Sequence, residues 1–164
     1  MPYPNLPKHL IAETNGIDRD RMLEQWRWLV PVGAEPLFAT VLGDLFLRAP
    51  DGRVVWLDVG AGTATDVASD ESEFSTLLDD AEHVQEWFMP QLVTALMASG
   101  SALAPGQCYS FKILPTLGGT YDPDNCHTLD LLSHFTGMGK LQRQIVALPL
   151  GTEIRVAKLE GTDT

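Results

Sequence analysis

The sequence predicts an α+β fold: a single domain whose antiparallel, hairpin-based sheet is packed with several helices. Two β-rich runs flank the turn signal Pro50-Asp51-Gly52. A helical middle follows from Ser69 to Ser99, and a further strand, loop and helix come after it. Strands, then helices, then strands again are the order of an α+β domain. With 164 residues, 45% hydrophobic and 20% charged, the chain can bury one sizeable core and is too apolar for disorder.

The first 16 residues carry three prolines and an Asn15-Gly16 turn, and are read as an irregular arm or short helix. Asp18 is an N-cap for a helix with Met22, Trp26 and Leu29 at helical spacing, ending by Pro31. Trp26 and Trp28 lie two apart, so one helix face cannot bury both, and one of them is expected to start a strand. Phe38–Arg48 and Arg53–Val59 are the two arms of the hairpin.

Asp70 and Glu73 form a capping box for a short helix through Leu78. A second helical run, Ala81–Ser99, places Val84, Trp87, Phe88, Leu92, Ala95 and Leu96 on one face, with Pro90 expected to kink or restart it and Gly100 to stop it. Gln107–Leu114 is a strand, and Leu117–Asn125 a loop containing Gly118-Gly119. Thr128 is read as the cap of a helix burying Leu131, Leu132 and Phe135 and ending near Gly137; Thr152–Leu159 alternates like a last strand.

The formal charge is −11, from 22 acids against 11 bases. A nucleic-acid binder needs basic groups for phosphate, so this balance opposes one. No run is long and apolar enough to span a membrane, and the opening residues lack a signal-peptide core, so the expected location is cytoplasmic. Cys108 and Cys126 then read as reduced thiols.

Three catalytic or cofactor patterns fail on spacing or context. Val54–Ala64, VVWLDVGAGTA, resembles the first motif of S-adenosylmethionine-dependent methyltransferases, where glycines let the backbone approach the cofactor at a strand-to-helix turn. Its third glycine is replaced by Ala64, and its strand is the second arm of a hairpin, not the start of a parallel βαβ unit. A small methyltransferase is therefore the alternative reading. Cys108, Cys126, His127 and His134 have zinc-ligand chemistry, but their only close pair is adjacent in sequence. Cys126 with His134, or Ser110 with His127, lacks any nucleophile signature, and Ser133 and His134 are assigned to a helix's polar side.

One charge pattern remains. Val54–Phe111 contains no Lys or Arg but nine acids, either an ordinary solvated helix face or a surface that steers a basic partner.

The order of several motifs carries a resemblance. Gly43-Asp44-Leu45-Phe46-Leu47, Asp51-Gly52 and Trp56-Leu57-Asp58-Val59 come first. Leu103-Ala104-Pro105, Cys108-Tyr109-Ser110-Phe111, Leu117-Gly118-Gly119 and Leu131-Leu132-Ser133-His134-Phe135 come after them. This succession resembles the C-terminal domain family of type VI secretion DNase-immunity proteins, formerly a domain of unknown function, over Pro36 to Gln144. Family members often carry a further N-terminal domain; only about 35 residues stand there in this chain, a reduced N-terminal part. The resemblance implies a non-enzymatic α+β protein that neutralises a cognate bacterial toxin in the cytoplasm, without catalytic residues, metal or cofactor.

The expected organisation is an arm and helix over 1–35, an immunity-type domain over 36–144, and a strand and tail over 145–164, as one structural unit. The expected partner is a toxin with a basic surface, such as a secreted nuclease, and not nucleic acid or membrane. Asp66, Asp70, Glu73, Asp79, Asp80, Glu82 and Glu86 are the expected contact residues. Trp87 and Phe88 would be anchors if exposed, but their spacing favours the core. A housekeeping interaction domain without a toxin partner is the third reading.

Overall fold

A computed structural model describes residues 3–155. Its centre is a four-stranded antiparallel meander of β1 (Glu35–Ala39), β2 (Leu45–Arg48), β3 (Val54–Asp58) and β4 (Thr63–Ala68). The hairpin around Pro50-Asp51-Gly52 is present, with Leu45 opposite Leu57 and Arg48 opposite Val54. One reading of this region is corrected. Phe38–Arg48 is two strands, because Thr40–Asp44 forms a tight turn inside it. Gly43 makes that turn possible: its φ is +83°, a region that side-chain-bearing residues rarely adopt.

The meander continues where the glycine-rich motif lies. Gly60-Ala61-Gly62 joins β3 to β4 in an antiparallel pair, Asp58 opposite Thr63. The strand therefore runs into another strand, where a cofactor-binding turn would run into a helix. Every strand pair among the described residues is antiparallel. The methyltransferase reading is overturned by this topology.

Four helices besides the sheet carry sequence signals that the structure reproduces. In α1 (Arg19–Leu23) Asp18 caps by accepting from Asp20 N–H at 3.0 Å. In α2 (Glu71–Leu77) Asp70 accepts from Glu73 N–H at 2.8 Å, and the Glu73 carboxylate returns to Ser69 N–H at 2.6 Å. The long middle run splits into α3 (Ala81–Phe88) and α4 (Pro90–Ala98). Met89 between them is left-handed, at φ +43°, and Pro90 restarts the helix at a position where its missing N–H costs nothing.

Phe74, Trp87 and Phe88 from α2 and α3 pack on Phe38 and Phe46 of the sheet, with ring centroids 5.0–6.2 Å apart. All but Phe38 are buried, so Trp87 and Phe88 belong to the core. Trp26 is buried and Trp28 stacks on it half-exposed; neither starts a strand, since the α1 helix tightens into a 3₁₀ turn over Glu24–Trp26.

A second sheet pairs β5 (Gln107–Phe111) with β6 (Cys126–Asp130). It is tied to the first where Tyr109 N–H donates to Val41 O at 2.7 Å. The last helix, α5 (Leu131–Val146), differs from expectation at both ends. Thr128 sits inside β6, and Asp130 is the cap, accepting from Ser133 N–H at 2.9 Å. The helix does not stop near Gly137, since its buried face continues through Gly139 and Gln142. His134, assigned to the polar side, is 4% exposed. Trp26 Nε1–H donates to Phe135 O at 2.9 Å and fixes α5 against the N-terminal segment. Residues 152–155 form no strand; the rest of the expected strand lies outside the described residues.

Candidate functional site

All seven acids expected to meet a partner are exposed, on β4, α2, α3 and the turns between them. Most also have structural work. Asp66 pairs with Arg53. Asp70 and Asp80 cap α2 and α3, and Glu73 accepts from Ser69 N–H, just before the cap of α2. Asp79 accepts from Asn5 Nδ2 at 2.8 Å, and Asp80 also bonds His83 Nδ1 at 2.9 Å. Hydrogen bonds from backbone amides and Ser69 or His83 hold the Glu73 and Asp80 carboxyls below the usual carboxylate range. Glu82 and Glu86 make no side-chain hydrogen bond or ion pair among the described residues, and so remain as uncommitted negative charge.

Glu86 also stands at the rim of a cavity of about 260 Å³, where the two sheets and α5 meet. Its walls come from elements far apart in sequence. Leu42 and Asp44 come from the β1–β2 turn, and Trp56 and Asp58 from β3. Gly60 and Ala61 belong to the glycine turn, Ser110 and Phe111 to β5. Tyr121 comes from the loop after β5, and His134 and Met138 from α5. The glycine turn is fixed from behind. Gln142 Nε2 donates to Val59 O at 3.0 Å and Gly60 O at 2.9 Å. Gly62 has φ +69°, a conformation that favours glycine, and a Cβ there would also crowd Gln142 Oε1 at 2.6 Å.

Asp44 is the most perturbed group in the cavity. Protein surrounds it except where it faces the cavity. Burial pushes its carboxyl up to about 8, and the Asp58 carboxylate adds to the rise. Hydrogen bonds from Val59 N–H at 3.0 Å and Trp56 Nε1–H at 3.3 Å oppose it. Asp58 is raised too, by burial, against the pull of Ala61 N–H and Gly60 N–H. The ion pairs of Arg27, Arg48 and Arg53 all lie elsewhere. Two carboxyls thus share a low-dielectric space, with no Lys or Arg in its lining.

Beside them Ser110 Oγ and His134 Nδ1 are 3.0 Å apart, a Ser–His contact that the sequence pairing of Ser110 with His127 missed. Its geometry favours a fastener over a nucleophile. The other ring nitrogen, Nε2, lies 2.9 Å from Gly43 O, a carbonyl that can only accept. The proton is therefore on Nε2, and Nδ1 accepts from the Ser110 hydroxyl. Burial lowers the imidazole to about 4, too far below neutrality for an effective general base. A Cβ on Gly43 would lie 2.2 Å from Nε2, so the left-handed turn and the histidine specify each other.

The cysteines supply no further chemistry. Cys108 faces Leu129 and Cys126 faces Phe111, three rungs apart and about 10 Å along the ladder, beyond disulfide reach. Burial raises both thiols, to about 12 and about 11, away from the reactive thiolate. Among the described residues no three His, Cys, Asp or Glu side chains are grouped to hold a metal ion. No described helix is long and apolar enough to cross a membrane.

Comparison with known proteins bears on fold and family. The crystal structure of Atu4351 from Agrobacterium tumefaciens superposes with a TM-score of 0.51 at 21% identity, covering 74% of this chain and 60% of that one. That likeness shows a shared fold, over less than two thirds of the other protein's length. No curated protein matches the sequence significantly. Residues 68–142, from the end of β4 through α2, α3, α4, both strands of the second sheet and most of α5, match the family described as T6SS immunity protein Tdi1, C-terminal, in agreement with the family the sequence resembles.

Proposed function

We propose that this chain is an immunity-type binding protein that neutralises a cognate bacterial toxin by protein–protein contact, without catalysis. The match of residues 68–142 to the T6SS immunity protein family carries this reading. The charge distribution supports a finer one, in which the toxin presents a basic surface, as a nuclease must to hold phosphate. Acids on β4, α2 and α3 can meet that surface by imitating the charge of the nucleic acid. Within this segment the charges that cap helices or pair with Arg53 are partly committed. Glu82 and Glu86 supply the free part of the field.

The test uses the toxin encoded beside the gene. Binding is expected, and replacing Glu82 and Glu86 by glutamine should slow association about three- to tenfold at low salt, with the difference fading as salt screens it. Unchanged association at low salt would remove the steering role. Absence of any complex would remove the immunity reading.

A further inference from the structure

The cavity at the junction of the sheets is the feature that immunity by surface contact leaves unexplained. Its wall is apolar for the greater part, with carboxyls set into it. Asp44 and Asp58 lie in its wall and Glu86 at its rim, while Trp56, Phe111 and Tyr121 supply aromatic surface. The fold maintains it actively, because Gln142 props the glycine turn and His134 pins the Gly43 turn. Gathering carboxyls in one wall adds repulsion, which a cation entering the cavity would offset.

Size and chemistry narrow the occupant. At about 260 Å³ the space falls below the range of sites for drug-sized ligands and cofactors, and suits one long side chain. Carboxylates beside aromatic faces match a guanidinium group: planar, weakly hydrated, able to pair with carboxylates and to stack on rings. The rim residue Glu86 is also the last acid of the exposed segment on α3, so the cavity opens onto the surface already assigned to a basic partner.

We propose that this cavity receives an arginine side chain of the protein partner, its guanidinium held by Asp44 and Asp58 and its stem lying against the aromatic wall. The occupant's identity as a partner residue rests on the immunity reading; the cavity's preference for a guanidinium does not. The groups facing the guanidinium are Asp44 from the β1–β2 turn, Asp58 from β3, Glu86 from α3, Tyr121 from the loop and His134 from α5. His134 is neutral near physiological pH. Asp44 must release its proton to pair fully, so affinity should rise with pH up to about 8.

The experiment titrates the full chain with Nα-acetyl-arginine methylamide and, as a neutral isostere, with Nα-acetyl-citrulline methylamide, tracking the Trp56 indole N–H resonance. Arginine is expected to shift that signal saturably, and citrulline not. Asp58→Asn keeps an acceptor for Ala61 N–H, and should weaken binding about tenfold. Glu86→Gln is exposed and carries no folding role in the structure, so it repeats the test where Asp58→Asn fails to fold; a loss of about threefold is expected there. Equal shifts from both probes, or no saturable shift from either, overturn the proposal. So does a toxin complex whose dissociation rate is the same for wild type and Asp58→Asn, a result that leaves the immunity reading standing. Arginine held in the cavity of a chain that no toxin engages supports the guanidinium site and removes the immunity reading instead.

Discussion

Asp44 and His134 show how a single buried group sets the pH response of the molecule. Asp44 keeps its proton up to about 8 in the folded chain, against an ordinary value of 3.8. Between those values the native state binds a proton that the unfolded chain has lost. Its contribution is therefore fully present at low pH and is lost as pH rises through about 8. His134 has the opposite sense: lowered from 6.5 to about 4, it contributes stability above 6.5 that is lost as pH falls through about 4. Between about pH 4 and 6.5 the two slopes cancel, and from 6.5 to 8 the slope of Asp44 remains. Thermal unfolding should show stability falling by roughly 1–2 kcal/mol from pH 6.5 to 8 in the wild type, and nearly flat in Asp44→Asn. Equal slopes would mean Asp44 is ionised already. Nothing local in Gly43-Asp44 or in Trp56-Leu57-Asp58 indicates that the two carboxyls meet. That depends on how β1, β2 and β3 pair.

At the scale of elements, local rules succeed where the competing signals are local too. Asp18, Asp70 and Asp80 each cap the helix that begins next to them, and Pro90 restarts one. Helix α5 is the instructive exception. Thr128 and Asp130 are both acceptable caps, and only the pairing of β6 with β5 decides between them, because Thr128 lies opposite Tyr109 in the ladder. Asp130→Ala should therefore cost about 1 kcal/mol in denaturant unfolding, through the loss of its bonds to Ser133. Thr128→Ala, exposed on a strand, should cost about half that or less. The reverse ranking would restore Thr128 as the cap. The helix likewise outruns Gly137 because Gly139 and Gln142 find tertiary partners in Gln25 and the glycine turn.

For the whole molecule the dominant fact is its charge of −11, with no Lys or Arg between Val54 and Phe111. Several carboxylates are used by caps and by Arg48 and Arg53, yet the exposed pairs among these are worth little and do not neutralise the field. Screening the remaining repulsion should stabilise the fold. Raising sodium chloride from about 0.02 M to about 0.5 M is expected to lift the thermal midpoint by about 2–5 °C. A lower midpoint would show that the ion pairs outweigh the repulsion. The same surplus of negative charge suits a partner with the opposite sign, so it links the stability of the chain to the contact proposed for it.

By itself the sequence determined the features that spacing and composition control: the α+β class, the hairpin at Pro50-Asp51-Gly52, the capped helices, the buried Trp87 and Phe88, the acidic middle and the family resemblance. Each of these rests on residues within a few positions of one another, or on counts and order along the chain. The tertiary structure alone decided that the glycine motif is a hairpin turn, that His134 is a core fastener and that the cysteines stand apart. It also decided that Asp44, Asp58 and Glu86 border one cavity. Burial and through-space pairing set those outcomes, and they join residues as far apart as Gly43 and His134, whose separation along the chain carries no local signal.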